Sequence, residues 1–451
     1  MVIHKIKKGL NIRLVGTAQM KVRDVSATAD FAIRPTDFVG ITPKVLVKEG
    51  ESVLVGTPLF VDKATERVKV VAPVSGTIVG IVRGERRKLL SIRIKPDTAQ
   101  VNKEFEALSV EKASAEQMTN YLLETGIFAF LRQRPYDCVP SPDVAPKAIF
   151  VSAFSSMPLA ADFSFVVAGQ EEDFKRGIAA LSKIAKVHVG VNPDQLNTNL
   201  LPLNVPNVEV ACFNGPNPAG NVGVQINHVD PVNKGEVVWT LGAEEVLFLG
   251  RVLRTGKSCF SRTIAVAGSE VADPQYAKVI VGQSVASIID GALKPTQHNV
   301  RVINGNPLVG EKASAADFLG AHVTEITAIP EGDDVNELFG WIMPRINQFS
   351  TNHSYFSWLA GDREYDLDCR IKGGERHMIM SSEYEGVFPM DIYPSFLIKA
   401  IITGDIDRQE ALGIYEVAPE DFAVAEFVCS SKLELQRIVR EGLEILRKEN
   451  A

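Results

Sequence analysis

A lysine, a glycine loop and scattered cysteines and histidines are the groups in this sequence able to hold a cofactor. Each needs a defined spacing to do so. Lys63 sits in a D-K-A triplet within Leu59 to Ile81, LFVDKATERVKVVAPVSGTIVGI, between two β-rich runs. A lysine that carries an amide-linked arm must project from the tip of its hairpin, and counting inward from Gly56 and Pro73 puts the tip at Thr65 or Glu66. Lys63 is therefore expected down the strand, as a solvated residue. Gly215 to Val222, GPNPAGNV, has the G-x-x-x-x-G spacing of a phosphate loop, but Asn221 and Val222 stand where a Walker loop needs lysine and a hydroxyl. A Pro/Gly turn after the run VEVACF accounts for it. Cys138, Cys212, Cys259, Cys369 and Cys429 lie far apart with no C-x-x-C pair, and His4, His188, His228, His298, His322, His353 and His377 show no H-x3-H or H-E-x2-H pairing. No metal site is expected. Ser155 in SSM and the GQS of Gly282 to Ser284 lack the flanking glycines of a nucleophile elbow.

Size and charge narrow the class. A chain of 451 residues exceeds what one core serves, and its 45% of hydrophobic residues can fill about three or four. A net charge of −7 with scattered Lys and Arg offers no basic stripe for a phosphate backbone, so nucleic acid is excluded as a partner. The start, MVIHKIKKGL, has no apolar core and does not read as a secretory signal, and the unpaired cysteines suit a reducing cytoplasm. No window approaches the roughly 18 uninterrupted apolar residues of a spanning helix; the run VVWTLGAEEVLFLG is broken by charge. The chain is expected to be soluble or peripheral to a membrane.

The elements that must position these groups change character along the chain. From Arg34 to Lys95, short β-branched runs such as KVLVK, SVLVG and GTIVGIV alternate with Gly, Pro and charged turns, which predicts a small all-β module. Its two halves resemble a barrel-sandwich hybrid, the fold of lipoyl and biotinyl domains. From about Val110 to Gly250, SAEQMTNYLLETGIFAFL and EEDFKRGIAALSKIA predict helices, and KAIFVSAF, KVHVGV and VEVACF predict buried strands. Such alternation predicts a Rossmann-like α/β domain with a parallel sheet. Val252 to about Pro330 is β-rich with tight Gly turns. The chain closes on SKLELQRIVREGLEILRK, a helix with Leu433, Ile438, Val439, Leu443 and Leu446 mainly on one face. The expected division is 1–100, 101–251, 252–330 and 331–451.

A resemblance runs through the whole chain. IKKGLNIRLVGTA, the hairpin above, ETGIFAFLRQRP, NGPNPAG, LFGWIMPRINQFS, FPMDIYPSFL and ALGIYEVAPEDFAVAEFVCSSK together resemble, in order, the NqrA family, one of the components of the sodium-translocating NADH:quinone oxidoreductases. The resemblance implies a β-grasp domain of the SLBB kind at 252–330 and a mixed, helical C-terminal domain. It also implies a peripheral component on the cytoplasmic side of the bacterial inner membrane. The complex oxidises NADH, reduces ubiquinone or menaquinone and exports sodium. The partners implied are NqrB, NqrC, NqrD, NqrE and NqrF, chiefly one that lies in the membrane. Flavins, iron–sulfur centres and the NADH site then belong to these partners, and this chain carries no cofactor and no complete active site.

The flavin- and NADH-binding components of the Rnf complex and complex I are more distant relatives, and they give a residue-by-residue test. Their glycine-rich run, laid on Gly126 to Tyr136, keeps Gly126 but meets Ala129, Leu131, Arg132 and Arg134 where bare backbone should approach a cofactor. Their C-x2-C-x2-C-x3-C cluster, ended at Cys429, meets Pro419, Phe422 and Ala425, with Ser430 in place of the closing proline. Cys429 is then expected to be a packing residue. The alternatives are a soluble NADH–flavin dehydrogenase of the Rnf kind and a carrier module acylated at Lys63.

Two regions remain as positive candidates. RPTDFVGITP and LRQRPYDCVP each set an aromatic beside Pro and Arg in a predicted loop, so Arg34, Phe38, Gly40, Arg132, Arg134 and Tyr136 form the candidate quinone site. A packing cluster with arginine–carboxylate pairs at a domain interface would give the same pattern. The stretch 337–359, rich in Trp, Tyr and Phe, is a candidate docking surface for a membrane partner, with core packing as its alternative.

Overall fold

Turn chemistry and β-branched alternation build the first unit. The structure, a computed structural model, describes all residues except 1, 26–29, 203, 336–338, 340–341, 343–347, 352–358, 360, 362 and 451. Phe31–Ile33, Leu89–Pro96, Gly76–Arg83 and Ser52–Val53 make one sheet, and Pro43–Val45, Pro58–Asp62 and Lys69–Val71 make the facing one. All these pairings are antiparallel. Val53, Val70, Ile78, Ile92 and Ile94 are buried, because alternate side chains share one face of a strand. The strand ends at Asp62, whose carboxylate accepts the N–H groups of Thr42 and Thr65 and the Thr65 hydroxyl. Lys63 therefore opens the turn instead of lying in the strand as expected, and the turn closes at Glu66, with φ 51°.

The second unit is a six-stranded sheet in the order Val2–Lys5, Val208–Asn214, Lys186–Val191, Ala148–Ser152, Val238–Thr240, Arg132–Arg134. All neighbours are parallel except the last pair. The central strands are continuous apolar runs because helices cover the sheet. The helix expected to run through Leu131 is shorter. It starts in a capping box between Ser114 and Gln117 and stops at Thr125, where Gly126 takes the left-handed conformation. Ile127–Phe130 continue as one tight 3-10 turn. Helices Glu171–Leu181 and Ala243–Thr255 touch backbone to backbone, since a Cβ on Gly250 would collide with the Asp173 carbonyl.

The third unit is a mixed sheet ordered Glu311–Ala313, Val300–Asn304, Glu325–Pro330, Ser261–Ala267, Gln275–Ile280, Gln19–Arg23. A hairpin, the short helix Val285–Ile289 and a strand parallel to the first hairpin strand give it the β-grasp plan. Residues 2–23 thus lend one strand each to the second and third units. The last unit is helical. In its closing helix Leu435–Glu449, Leu435, Val439, Leu443 and Leu446 are buried; of the other two residues expected on that face, Ile438 is only half-buried and Leu433 precedes the helix. These side chains share a core with Ile6, Ala211 and Phe213 of the second unit.

Among the described residues no helix is long and apolar enough to cross a membrane. The candidate docking stretch 337–359 falls largely outside the described residues, its Trp341, Tyr355, Phe356 and Trp358 included. Phe349, which is described, packs against Tyr365 and Phe427.

Replacing Gly250 with Ala should force the two helices apart and lower unfolding free energy by about 1–3 kcal/mol. A denaturant melt of the full chain reads this as a lower midpoint with unchanged slope.

Candidate functional site

Parallel strands leave their C-terminal ends open to ligands, and here Ser152 and Thr240 end adjacent strands. Loops of the first and third units and the closing helix flank that edge and border a half-open cavity of about 660 Å³. This is the size of a small-molecule site.

Arg34, Arg132 and Arg134 all line the cavity, so the two candidate segments converge, but they are not the loops expected: Arg132–Arg134 is an edge strand paired with Val238–Thr240, and Pro35–Asp37 is a 3-10 turn. The Val139 N–H donates to the Val39 carbonyl at 2.8 Å, which zips them together. Arg34 pairs with Asp37 at 2.7 Å and Glu311 at 3.2 Å. Arg134, 1% exposed, pairs with Asp137 at 2.7 Å and Glu420 at 3.2 Å. Asp137 also meets Arg132 at 3.6 Å and binds Arg440. Burial pushes the Asp137 carboxyl up, but Arg134, Arg132 and Arg440 outweigh it and hold the group well below the usual carboxylate range. Arg132, half-exposed, is the least tightly held of the three candidate arginines.

The other three candidates stand back from the cavity. Phe38, 2% exposed, lies behind the wall, edge-on to Phe60, Phe130 and His322. Phe130, in front of it, reaches the lining, as do Phe154 and Phe163. Gly40, at φ 95°, has the Cys138 Cβ 2.9 Å and Arg447 Nη1 2.8 Å from where a Cβ would sit. Tyr136 is half-buried against the helical core, its hydroxyl accepting from Asn450 at 3.2 Å.

Several lining groups were not singled out from sequence. Glu244 and Glu245 begin the helix Ala243–Thr255, and behind the lining Arg262, entirely buried, binds Glu245 at 2.7 Å and the Val323 carbonyl at 2.7 Å while stacking on Phe248. Burial raises the Glu244 carboxyl to about 8. Burial, then Arg132 and Arg262, hold the His322 imidazole well below its ordinary value. The AEE interrupting an apolar run was the available signal, since acids at a buried helix start face its positive end.

A second helix start, that of Val222–Val229, is filled from within. The Asp421 carboxylate presses on Gly223, where any Cβ would collide with it, and accepts from Ala418 N–H at 2.9 Å and Asn221 Nδ2 at 3.4 Å. Burial, then Glu420, pushes its carboxyl up to about 7. GPNPAGNV is the Pro/Gly turn ahead of this helix, with the Gly220 N–H donating to Ser156.

In the run 126–136, Phe128, Ala129 and Leu131 are buried, and Phe128 stands edge-on to Trp239 at 5.4 Å. Cys429 is buried with the Tyr384 hydroxyl 2.8 Å from its sulfur, and Phe422 and Ala425 share its core. Among the described residues no three His, Cys, Asp or Glu are grouped to hold a metal.

Comparison with known proteins matches three family models to this chain. These are the NqrA N-terminal barrel-sandwich hybrid domain over 4–97, the NqrA second alpha/beta domain over 113–258 and the NQRA C-terminal domain over 263–315. Proteins named as the A-subunit of the Na(+)-translocating NADH-quinone reductase align along essentially their full length. The one from Neisseria meningitidis serogroup B is 36% identical, covering 99% of each chain. That from Hahella chejuensis is 34% identical at the same coverage, and that from Rhodopirellula baltica 33%, covering 99% of this chain and 98% of its own. Among solved structures, an NAD+-reducing [NiFe]-hydrogenase in the air-oxidized state aligns at 13% identity and a TM-score of 0.38, over 77% of this chain and 68% of that one. A likeness that weak carries no argument.

Asp137→Ala should lower stability by about 3–5 kcal/mol, because it leaves the buried Arg134 with Glu420 alone and takes from Arg440 its carboxylate partner. Urea unfolding measures it, and Asp137→Asn should fall between the variant and the unaltered chain. For Asp421, a folded value raised above the unfolded one means the native state binds the proton more tightly. Stability then falls as pH rises from the ordinary carboxylate range to about 7 and levels off above. Asp421→Asn should remove that slope and leave the variant the more stable protein at pH above the raised value, as melting curves across pH would read.

Proposed function

The chain belongs to the NqrA family of the Na(+)-translocating NADH-quinone reductase, and we propose that it serves that complex as a peripheral component without a redox cofactor of its own. In this proposal it sits on the cytoplasmic side of the bacterial inner membrane. NqrB, NqrC, NqrD, NqrE and NqrF, chiefly one lying in the membrane, are its partners, and they hold the flavins, the iron–sulfur centre and the NADH site. The complex reduces ubiquinone or menaquinone with NADH and exports sodium, and this chain stabilises it. Support for the cofactor-free part comes from side chains: Ala129 and Leu131 fill the run where bare backbone would admit a flavin, and Asp421 occupies a helix start that would otherwise favour phosphate. Full-length relatives, all bearing the same name, favour this over a soluble dehydrogenase of the Rnf kind. The division at about residues 100, 251 and 330 belongs to the same proposal, although residues 2–23 supply strands to the second and third sheets and the boundary at 251 falls within the helix Ala243–Thr255.

The second element is a contribution to quinone binding. The observation that carries it is the cavity of about 660 Å³ at the C-terminal edge of the parallel sheet, where Phe130 and Phe163 stand with Arg34, Arg132 and Arg134. An apolar wall with a few convergent donors suits a neutral ring bearing carbonyls. Phe38 backs Phe130 in this arrangement, while Gly40 and Tyr136 set the course of the two segments.

Two measurements test these elements separately. The isolated chain should show no flavin absorbance, and a flavin band would overturn the cofactor-free assignment. Short-chain ubiquinone should quench tryptophan fluorescence saturably, and Arg132→Gln should weaken binding about tenfold, the loss of one hydrogen bond to a charged donor. Absence of saturable quenching, with unchanged quinone KM in a complex carrying Arg132→Gln, would remove the quinone role.

A further inference from the structure

Around the cavity most buried acids have a hydrogen-bond partner, and the arginines that leave a buried Nε without one, Arg34, Arg134 and Arg262, bond through their other nitrogens. Glu245 takes Arg262; Glu325 takes the Thr324 hydroxyl at 2.6 Å and the Asn306 amide at 3.1 Å; Arg251, further along the same helix, holds Gln170 and the Ser261 carbonyl. Glu244 does not. Its side chain is 4% exposed and lines the cavity, yet its Oε2 has no hydrogen-bond partner. The nearest cation, Arg262 Nε, is 3.7 Å away, beyond hydrogen-bonding reach. Leaving a buried carboxyl oxygen unsatisfied is costly, and such a group in a cavity is where a ligand atom belongs.

We propose that Glu244 is a ligand-binding residue whose carboxyl donates a hydrogen bond to a carbonyl oxygen of the neutral ring bound in this cavity. This rests on the quinone assignment and specifies it. A charged carboxylate would repel a carbonyl oxygen; a protonated one donates to it. The surroundings favour the proton. Burial, set against Arg262 and reinforced by Glu245, raises Glu244 to about 8, with Arg251 and Glu325 acting at longer range in opposite senses, and burial holds His322 alongside well below its ordinary value. The same preference for an uncharged acceptor counts against phosphate or carboxylate ligands at this end of the cavity, even though a helix begins there. Selection of a neutral dione over an anionic dinucleotide is the consequence.

The test combines binding with infrared spectroscopy on the full chain, using a short-chain ubiquinone as probe. Unaltered protein should bind the quinone less tightly as pH rises through about 8. Glu244→Gln, which keeps an N–H donor, should bind within a few-fold of it and lose this pH dependence. Glu244→Leu should lose about tenfold in affinity, the size of one buried hydrogen bond. Difference spectra should show a protonated carboxyl band that moves to lower frequency when quinone is added and is missing from Glu244→Gln. That band is a signature a purely structural acid would not give, and it holds even if Glu244→Leu fails to fold. An unmoved band, or no protonated band because Glu244 is ionised against Arg262, would overturn the assignment of Glu244 while leaving quinone binding intact. Unchanged affinity in Glu244→Leu would do the same. Absence of saturable binding by the unaltered protein would instead overturn the quinone site, and this assignment with it.

Discussion

Asp137 is the point on which the assembled shape turns. One carboxylate receives Arg132 and Arg134 from an edge strand and Arg440 from the closing helix, in surroundings almost closed to water. At low dielectric such contacts act strongly only while all are made, so the knot holds the helical unit on the sheet as a single choice. The backbone accommodates it: Tyr136 and Asp137 take left-handed φ of 81° and 48°, which turns their carbonyls toward the Arg440 guanidinium. Non-glycine residues adopt that conformation at some cost, and the Arg440 bonds offset it. The cavity wall follows from this, since Arg134 is aimed by Asp137 and Glu420 together.

The same logic explains what happens at the helix starts. An α/β scaffold presents positive helix ends at the edge where ligands bind, and anions settle there. Here acidic side chains of the chain itself take those positions, Asp421 from the helical unit at one and Glu245 at the other. Asp421 crosses from a different unit to do so, and Gly223 leaves room for it. A position that could have gripped phosphate becomes a fastening between units.

Local pattern carried the architecture further than the site. β-branched alternation in 34–95 and the apolar runs at 148–152, 186–191 and 208–214 were legible because period and burial are local properties. The helix end at Thr125 was missed because ETGIFAFL stays apolar after its glycine, while the left-handed cap at Gly126 sets the boundary. Lys63 opens the turn one residue beyond the strand expected to hold it, since the Asp62 side chain, not the flanking Gly and Pro, decides where the turn begins. Arg34, Arg132 and Arg134 could be picked out by their neighbours in sequence. Phe38 could not be told from Phe130, because which of two aromatics faces a cavity depends on packing between units. Arg262, His322 and Asp421 acquire their character only from partners far away in sequence, and no spacing rule reports burial of that kind.

The strands at Val2–Lys5 and Gln19–Arg23 pair with Val208–Asn214 and Gln275–Ile280. During synthesis these two strands therefore have no partners until about 200 and about 250 residues more, respectively, have left the ribosome, whereas the barrel at 31–96 closes on itself. The order of folding departs from the order of synthesis. A self-contained module forms early on a tether of unpaired chain, and the two later sheets are finished by segments that have waited for them. The opening residues act as a strap laid across units built after it, and their exposed β-edges must be kept from other chains in the meantime.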